Sequence, residues 1–107
     1  MREFEVDGIP LKMGRNQDEN DALLKSMDPE DTWFHLEGFP SAHLSMPRDY
    51  KKVSKHTLYR IALEVKKSSK YKSNHVLPVM YTYRKNLTLT EIPANPEVSG
   101  KYKTVNT

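Results

Sequence analysis

Two short runs of strand-forming residues, separated by a turn, constrain the fold of this chain more than any other feature. Thr32–Leu36 reads Thr-Trp-Phe-His-Leu, and Ala42–Met46 follows after a glycine and a proline. Such an arrangement predicts an antiparallel hairpin. Because strand side chains alternate between faces, His43 is expected to point away from the face that Leu44 shares with its apolar neighbours.

Two other segments show the spacing of amphipathic helices. From Ser54 onward, apolar residues recur at i, i+3, i+4 and i+7, which predicts a helix with one buried stripe. Asp18 is expected to cap a shorter helix over about residues 19–27, which Asp28-Pro29 ends. The positions expected to be buried are Leu58, Ile61, Ala62 and Val65 in the long helix and Ala22, Leu23 and Met27 in the short one.

The remaining strand patterns complete a sheet. Asp7-Gly8 predicts a tight turn inside a hairpin over residues 4–11, and Pro10, which lacks an N–H donor, is expected on an edge or distorted strand. Residues 76–83 form the longest strand pattern, with residues 87–90 as the expected partner. Residues 101–105 predict a last edge strand. The order predicts one α+β domain over residues 1–107, with a mostly antiparallel sheet and two principal helices.

Composition removes several classes of function. The chain has no cysteine, so disulfides, thiolate metal sites and cysteine nucleophiles are excluded. His35-Leu36-Glu37 matches part of a zinc-deaminase motif, but that motif also needs a cysteine pair. No glycine-rich phosphate loop or nucleophile elbow occurs, so no enzyme activity and no cofactor are expected. No run is long enough to span a membrane, and no signal peptide is evident, which predicts a cytoplasmic protein.

The net charge of +3 conceals an asymmetry between the two halves of the chain. Residues 1–50 have five Lys and Arg against eleven Asp and Glu (−6), whereas residues 51–107 have twelve against three (+9). Clustered cations attract nucleic acid, although a solvated lysine-rich surface explains them equally well. The basic and aromatic residues predicted to contact nucleic acid in this half are Lys51, Lys52, Lys55, Lys66, Lys67, Lys70, Tyr71, Lys72, Arg84 and Lys85.

Tyrosines are interleaved with these cations, as in Lys70-Tyr71-Lys72 and Lys101-Tyr102-Lys103. Bases can stack on such rings. Tyr71, in a polar and basic segment, is expected to make such a contact. Trp33, in the middle of a strand, is expected in the core.

Polar residues around the first helix and the central hairpin leave alternatives open. Arg15 could hold a phosphate at the helix N-terminus, whereas Asn16 and Asp18 are better explained as caps. Two histidines, His35 and His43, could join Asp31 in a divalent metal site. The favoured alternative is that His35 or His43 donates a hydrogen bond to a backbone carbonyl while packing on Trp33 or Phe39.

The stretch from Gly14 to His43 resembles the NFACT RNA-binding domain, called NFACT-R. Its Gly-Arg-Asn segment, its Asp-Thr-Trp-Phe-His strand and its Pro-Ser-Ala-His turn occur in the family's order. The resemblance continues through residues 58–83 to Gly100. Ser41-Ala42 departs from the usual Gly-Ser, as in the family's stand-alone, coiled-coil-containing branch.

This resemblance implies a non-enzymatic domain that binds structured RNA, either tRNA or ribosomal RNA, in translation or ribosome-associated quality control. A protein-interaction or DNA-binding module is the alternative, and a metal-dependent hydrolase is a third. We expect Arg15, Asn20, His35 and His43 to carry function. Arg15 and His43 would meet at one polar surface, and binding would strengthen as pH falls through about 6.5.

Overall fold

The turn at Asp7-Gly8 begins the sheet. In the computed structural model, which describes all 107 residues, these two residues join β1 (Arg2–Val6) to β2 (Ile9–Met13). Both have positive φ, 51° for Asp7 and 79° for Gly8. Successive positive φ angles suit the tight turns whose twist matches a hairpin. The predicted hairpin is therefore confirmed.

Pro10 lies in an inner strand and not in an edge strand, but at Pro10 itself one side of the strand is unpaired. β2 runs between β1 and β4 (Leu44–Met46), but only Lys12 and Met13 of β2 pair with β4. Pro10 faces Glu5 of β1 and lies beyond the stretch paired with β4. A proline is tolerated in this inner strand because the ladder has ended on one of its sides.

The central hairpin is confirmed and forms the middle of a six-stranded antiparallel sheet. Its strands are β3 (Thr32–Leu36) and β4, and β3 also pairs with β5 (Pro78–Tyr83). The strand order is β1-β2-β4-β3-β5-β8, with β8 (Lys103–Asn106) as the predicted last edge strand. Burial on both faces of β3 fits its central position.

Residues 87–90 do not pair with β5, so that prediction is wrong. β6 (Leu87–Thr88) instead pairs with β7 (Glu97–Val98) in a separate two-stranded ribbon. The chain turns away from the sheet through a 3-10 helix at Arg84–Asn86, and both sides of β5 are already occupied by β3 and β8. Residues 92–96 form no helix or strand.

The longer helix, α2 (Lys55–Ser68), covers one face of the sheet. Ser54 caps it by accepting a hydrogen bond from the Thr57 N–H at 3.2 Å. Its predicted stripe is buried and packs in the main core with apolar side chains of β1 to β5. The centre of this core consists of Leu11, Phe34, Leu36, Leu44, Met46, Ile61, Val65 and Val79.

The shorter helix, α1 (Gln17–Ser26), lies on the opposite face. Leu24 packs with Trp33, whereas the next strand residue, Phe34, points into the main core. Asn16 caps α1 and Asp18 lies in its first turn, because the helix begins two residues earlier than predicted. Ala22 is exposed, and Leu24 takes its expected place among the buried residues.

Neither helix combines the length and the apolar character that crossing a membrane would require.

Candidate nucleic-acid interface

A cleft of about 1090 Å³ opens on the sheet face that carries Trp33. Its walls are the start of α1, the ends of the central hairpin, the turn after α2 and the irregular segment before β7. Five of the residues predicted to carry function line it: Arg15, Asn20, His35, His43 and Lys70. Arg15 and His43 therefore border the same surface, as predicted. We call this site the Trp33 cleft.

Trp33 forms the floor of the cleft and belongs to the core, as predicted, with 3% of its surface exposed. Its indole Nε1–H donates a hydrogen bond to Nδ1 of His43 at 3.0 Å. An imidazole nitrogen that accepts cannot carry a proton, so neutral His43 holds its proton on Nε2. The tryptophan thereby fixes the tautomer of the histidine.

His35 lies against both of these rings. It stacks on Trp33 at 5.4 Å between centroids with 13° between planes, and it meets His43 edge-on at 4.8 Å. Its Nδ1 is 2.6 Å from the Leu36 carbonyl oxygen, which can only accept, so Nδ1 donates. Neutral His35 therefore has an unprotonated Nε2, the opposite tautomer to that of His43.

Burial keeps both histidines uncharged. It lowers the pKa of His43 to about 3, with repulsion from His35 as the second cause. Desolvation also lowers the pKa of His35, against the hydrogen bond to the Leu36 carbonyl, which raises it. His43 gains no proton near pH 6.5, which contradicts the charge on which the predicted strengthening of binding depends.

Asn20 ties the start of α1 to the hairpin. Its Oδ1 accepts a hydrogen bond from the His43 N–H at 3.2 Å, while Gly14 N–H donates to the His43 carbonyl at 3.1 Å. A Cβ atom at Gly14 would lie 2.0 Å from Asn20 Oδ1. Only glycine fits there without displacing Asn20, which explains the glycine that begins this segment.

Arg15 is paired within the protein. Its Nε and Nη2 bind the two carboxylate oxygens of Glu19 at 3.0 and 2.8 Å. These hydrogen bonds hold the pKa of the Glu19 carboxyl well below its usual range and raise that of Arg15. Asn16 also accepts from the Glu19 N–H at 2.9 Å, so its capping role is confirmed. An acid and a cap already occupy the helix terminus where a phosphate was considered.

The histidines and Asp31 do not form the metal site considered from the sequence. Nδ1 of His43 is occupied by Trp33, and Asp31 accepts a hydrogen bond from the Asp28 N–H at 3.0 Å. No group of three His, Asp or Glu side chains is arranged to hold a metal ion. The favoured structural role of the histidines is the one that the contacts support.

The predicted basic residues fall into two groups. Lys67 pairs with Glu64 and Lys85 with Glu30, while Lys66 donates to the Thr107 main-chain oxygen at 2.8 Å. Arg84 binds the carbonyls of Leu24 and Leu87 at 2.7 and 3.0 Å, so it links α1 to β6. Its prediction as a nucleic-acid ligand conflicts with this structural position. Among the predicted cations, those without a carboxylate or carbonyl partner are Lys51, Lys52, Lys55, Lys70 and Lys72.

A second, basic groove lies on the other side of β5. The 3-10 helix at Tyr50–Lys52 and the chain around β8 enclose about 440 Å³. We call this site the lysine groove, and its side chains are Tyr50, Lys51, Lys101, Tyr102 and Lys103. Lys101, Tyr102 and Lys103 were not among the predicted site residues, although their Lys-Tyr-Lys pattern was the available signal.

The predicted contact residue Tyr71 and the tyrosine of the lysine groove, Tyr102, differ in exposure. Tyr71 is half-buried, packs 4.8 Å from the Phe39 ring, and has Lys70 Nζ at 5.4 Å from its centroid. Tyr102 is 43% exposed, and its hydroxyl donates to Glu37 at 2.8 Å. That hydrogen bond raises the pKa of Tyr102. The Tyr102 ring is held in place and offers more free surface than Tyr71.

A six-stranded antiparallel sheet with one helix on each face, a polar aromatic cleft and a lysine groove defines a small α+β domain. Residues 2–95 match the family described as NFACT protein RNA binding domain. The chain therefore belongs to this family, which confirms the resemblance seen in the sequence. No curated protein matches it.

The fold is also similar to a solved structure, the C-terminal part of the fibronectin/fibrinogen-binding protein from Streptococcus suis. The TM-score is 0.85 at 23% identity, over 98% of this chain and 43% of that chain. At this identity the likeness shows the fold. This chain spans less than half the length of the chain it matches.

Proposed function

We propose that this domain binds structured RNA, tRNA or ribosomal RNA, as a non-enzymatic factor in translation or ribosome-associated quality control in the cytoplasm. The observation that carries the proposal is the lysine groove, where three lysines without carboxylate partners converge beside two tyrosines. Membership of an RNA-binding family supports binding over catalysis.

The pairing of charges supports this choice of surface. Seven salt bridges engage cations such as Arg15, Lys25 and Lys67, and none engages Lys51, Lys101 or Lys103. A cation that is already paired gains little from a phosphate, because it must give up its carboxylate. An unpaired lysine releases counterions from RNA when it binds, which makes affinity dependent on salt.

Tyrosines beside these lysines favour an RNA-binding surface over one that is merely basic. The exposed Tyr102 ring lies between Lys101 and Lys103, so a base can stack while neighbouring phosphates reach the ammonium groups. Stacking contributes about 1–3 kcal/mol per base. Duplex DNA, whose bases are already stacked, would use only the phosphate contacts.

The test is a comparison of two triple variants with the same change in net charge. One replaces Lys51, Lys101 and Lys103 by glutamine, and its control replaces the paired Lys25, Lys67 and Lys85. RNA binding is measured by fluorescence anisotropy with tRNA, a ribosomal RNA fragment and duplex DNA across a salt titration. The groove variant should lower the slope of log affinity against log salt by about 2–3, since each lost phosphate contact contributes about 0.7–0.9.

Equal losses in the two variants would show that net charge acts rather than the groove, and this proposal would fail. A protein-interaction module is the second candidate, because the name of the structural neighbour describes binding to fibronectin and fibrinogen. Absence of binding to all three nucleic acids would favour that candidate. Equal affinity for tRNA and duplex DNA would favour a non-specific DNA-binding module.

A further inference from the structure

The Trp33 cleft contains hydrogen-bonding atoms that the fold itself leaves unused. His43 is 3% exposed and uses Nδ1 for Trp33, but its protonated Nε2 has no partner. Asn20 is 9% exposed and uses Oδ1 for the His43 N–H, but its Nδ2 has no partner. Every enclosed side-chain nitrogen or oxygen in the protein is hydrogen-bonded. These two donors are therefore open to the cleft that both residues line.

A third open group is an acceptor. Nδ1 of His35 donates to the Leu36 carbonyl, which leaves the unprotonated Nε2 without a partner. The half-buried His35 ring is backed by Trp33 on one side and by His43 at its edge. A rigid aromatic surface thus lies beside two donors and one acceptor. In each of these three side chains, another atom forms a hydrogen bond with the protein, which fixes the orientation of the open atom.

We propose that the Trp33 cleft receives one unstacked nucleobase of the bound RNA. The inference rests on the proposed function and specifies what the RNA must offer: a base free of pairing and stacking. The base stacks against the imidazole of His35, and its polar edge meets Nε2 of His43 and Nδ2 of Asn20. The cleft, at about 1090 Å³, has room for a nucleoside.

Neutral groups distinguish this site from a phosphate site. Neither open donor carries a charge, and the nearest guanidinium, that of Arg15, is bound by Glu19 on two nitrogens. A base needs directional neutral donors and a flat surface, which the cleft supplies. Lys70, without a carboxylate partner at the rim, is placed for a flanking phosphate.

The experiment compares a short oligouridine with a chain of abasic nucleotides of the same length. Both ligands carry the same phosphates, so the ratio of their affinities isolates the contribution of the base. The wild-type domain should bind oligouridine about tenfold or more tightly than the abasic chain. Trp33, the single tryptophan of the chain, should change its fluorescence only with the ligand that has bases.

Two variants test the named contacts. His35→Ala removes the stacking surface, and Asn20→Asp keeps an oxygen for the His43 N–H but removes the Nδ2 donor. Any repulsion from the added carboxylate acts on both ligands alike, so the ratio is unaffected by it. Both variants should lower the ratio to the part that stacking on Tyr102 contributes, whereas His75→Ala, at an exposed histidine, should leave it unchanged.

The outcomes separate this inference from the function on which it rests. Equal wild-type affinity for the two ligands leaves the phosphate surface intact and overturns the base site. Binding of neither ligand contradicts RNA binding itself. A ratio in His35→Ala that equals the wild-type ratio also overturns the site, and this half-buried position tests it even if Asn20→Asp fails to fold.

Discussion

The Trp33 cleft and the lysine groove lie on the same small domain but consist of side chains of opposite character. In the cleft, Trp33, His43 and Asn20 are at least nine-tenths buried, uncharged and linked by hydrogen bonds with defined geometry. In the groove, Lys101 and Lys103 are exposed, charged and without partners. The geometry of the cleft depends on how the chain folds, whereas the character of the groove depends on how many positive charges lie close together.

This difference determines how substitutions should act. A change in the cleft removes packing as well as any ligand contact, so loss of binding and loss of stability are coupled there. A change in the groove removes charge without disturbing the core, since surface substitutions usually alter stability by about 0.5 kcal/mol or less. Measuring both stability and RNA binding in variants should therefore distinguish the cleft from the groove.

The largest expected effect is at the floor of the cleft. Trp33→Ala should lower the free energy of unfolding by about 3–5 kcal/mol, because it removes a buried ring and leaves His43 Nδ1 without its donor. Urea denaturation followed by circular dichroism measures this loss. Tyr59→Ala, at a 38% exposed ring, is the control and should stay within about 1 kcal/mol. If Trp33→Ala were as stable as the wild-type protein, substitutions in the cleft would not differ from those in the groove in their effect on stability.

The central elements could be predicted because their signals are local. The apolar stripe of α2 and the alternation in β3 are each complete within one segment. The N-terminus of α1 lies two residues before the predicted one because Asn16 and Asp18 are both good caps, and only the position of the helix against the sheet decides between them. β6 was mispaired because its partner lies beyond an irregular segment and β8 takes the free side of β5.

The chemistry of the cleft could not be read from the sequence. The polar residues were identified, but the proton positions depend on Trp33 reaching His43 and on burial, which are tertiary facts. The fate of the cations was also hidden. Lys85 pairs with Glu30 across 55 positions, and Arg84 reaches the Leu24 carbonyl across 60. A charge count treats such residues as free.

The next largest effect should come from the closest contact beside the cleft. In Gly14→Ala the new methyl group meets Asn20 Oδ1, so the free energy of unfolding should fall by about 1–3 kcal/mol. A double-mutant cycle with Asn20→Ala tests the cause, because removing that oxygen should recover part of the loss. Strictly additive losses would show that the contact with Asn20 is not the reason for glycine at this position.

Acid should lower the stability of the fold through the buried histidine of the cleft. Unfolded His43 takes up a proton near pH 6.5, whereas the pKa of the folded residue is about 3. Its stabilising contribution is therefore complete above pH 6.5 and is lost as pH falls toward 3, at about 1.4 kcal/mol per pH unit. Urea denaturation between pH 6.5 and 5 measures this slope before carboxyl groups with lowered pKa values contribute.

The buried histidine should be the origin of this slope, and a pair of variants separates it from the exposed ones. His43→Gln should make the dependence of stability on pH shallower by about 1.4 kcal/mol per pH unit, while His75→Ala should leave it unchanged. A slope that persists in His43→Gln would assign it to other groups. His35, whose pKa is also lowered, is the nearest of these.

The smallest expected effect is on binding itself, and it bears most directly on the contrast between the two regions. Folded His43 stays neutral between pH 7.5 and 5.5, so RNA affinity at constant salt should be nearly flat across this range. Anisotropy titrations with the folded fraction checked at each pH measure it. Affinity that rises tenfold toward pH 5.5, and does so only when His43 is present, would mean that RNA draws a proton into the cleft. The cleft would then act as a charged site like the groove, rather than as the neutral, pre-formed site that its hydrogen bonds describe.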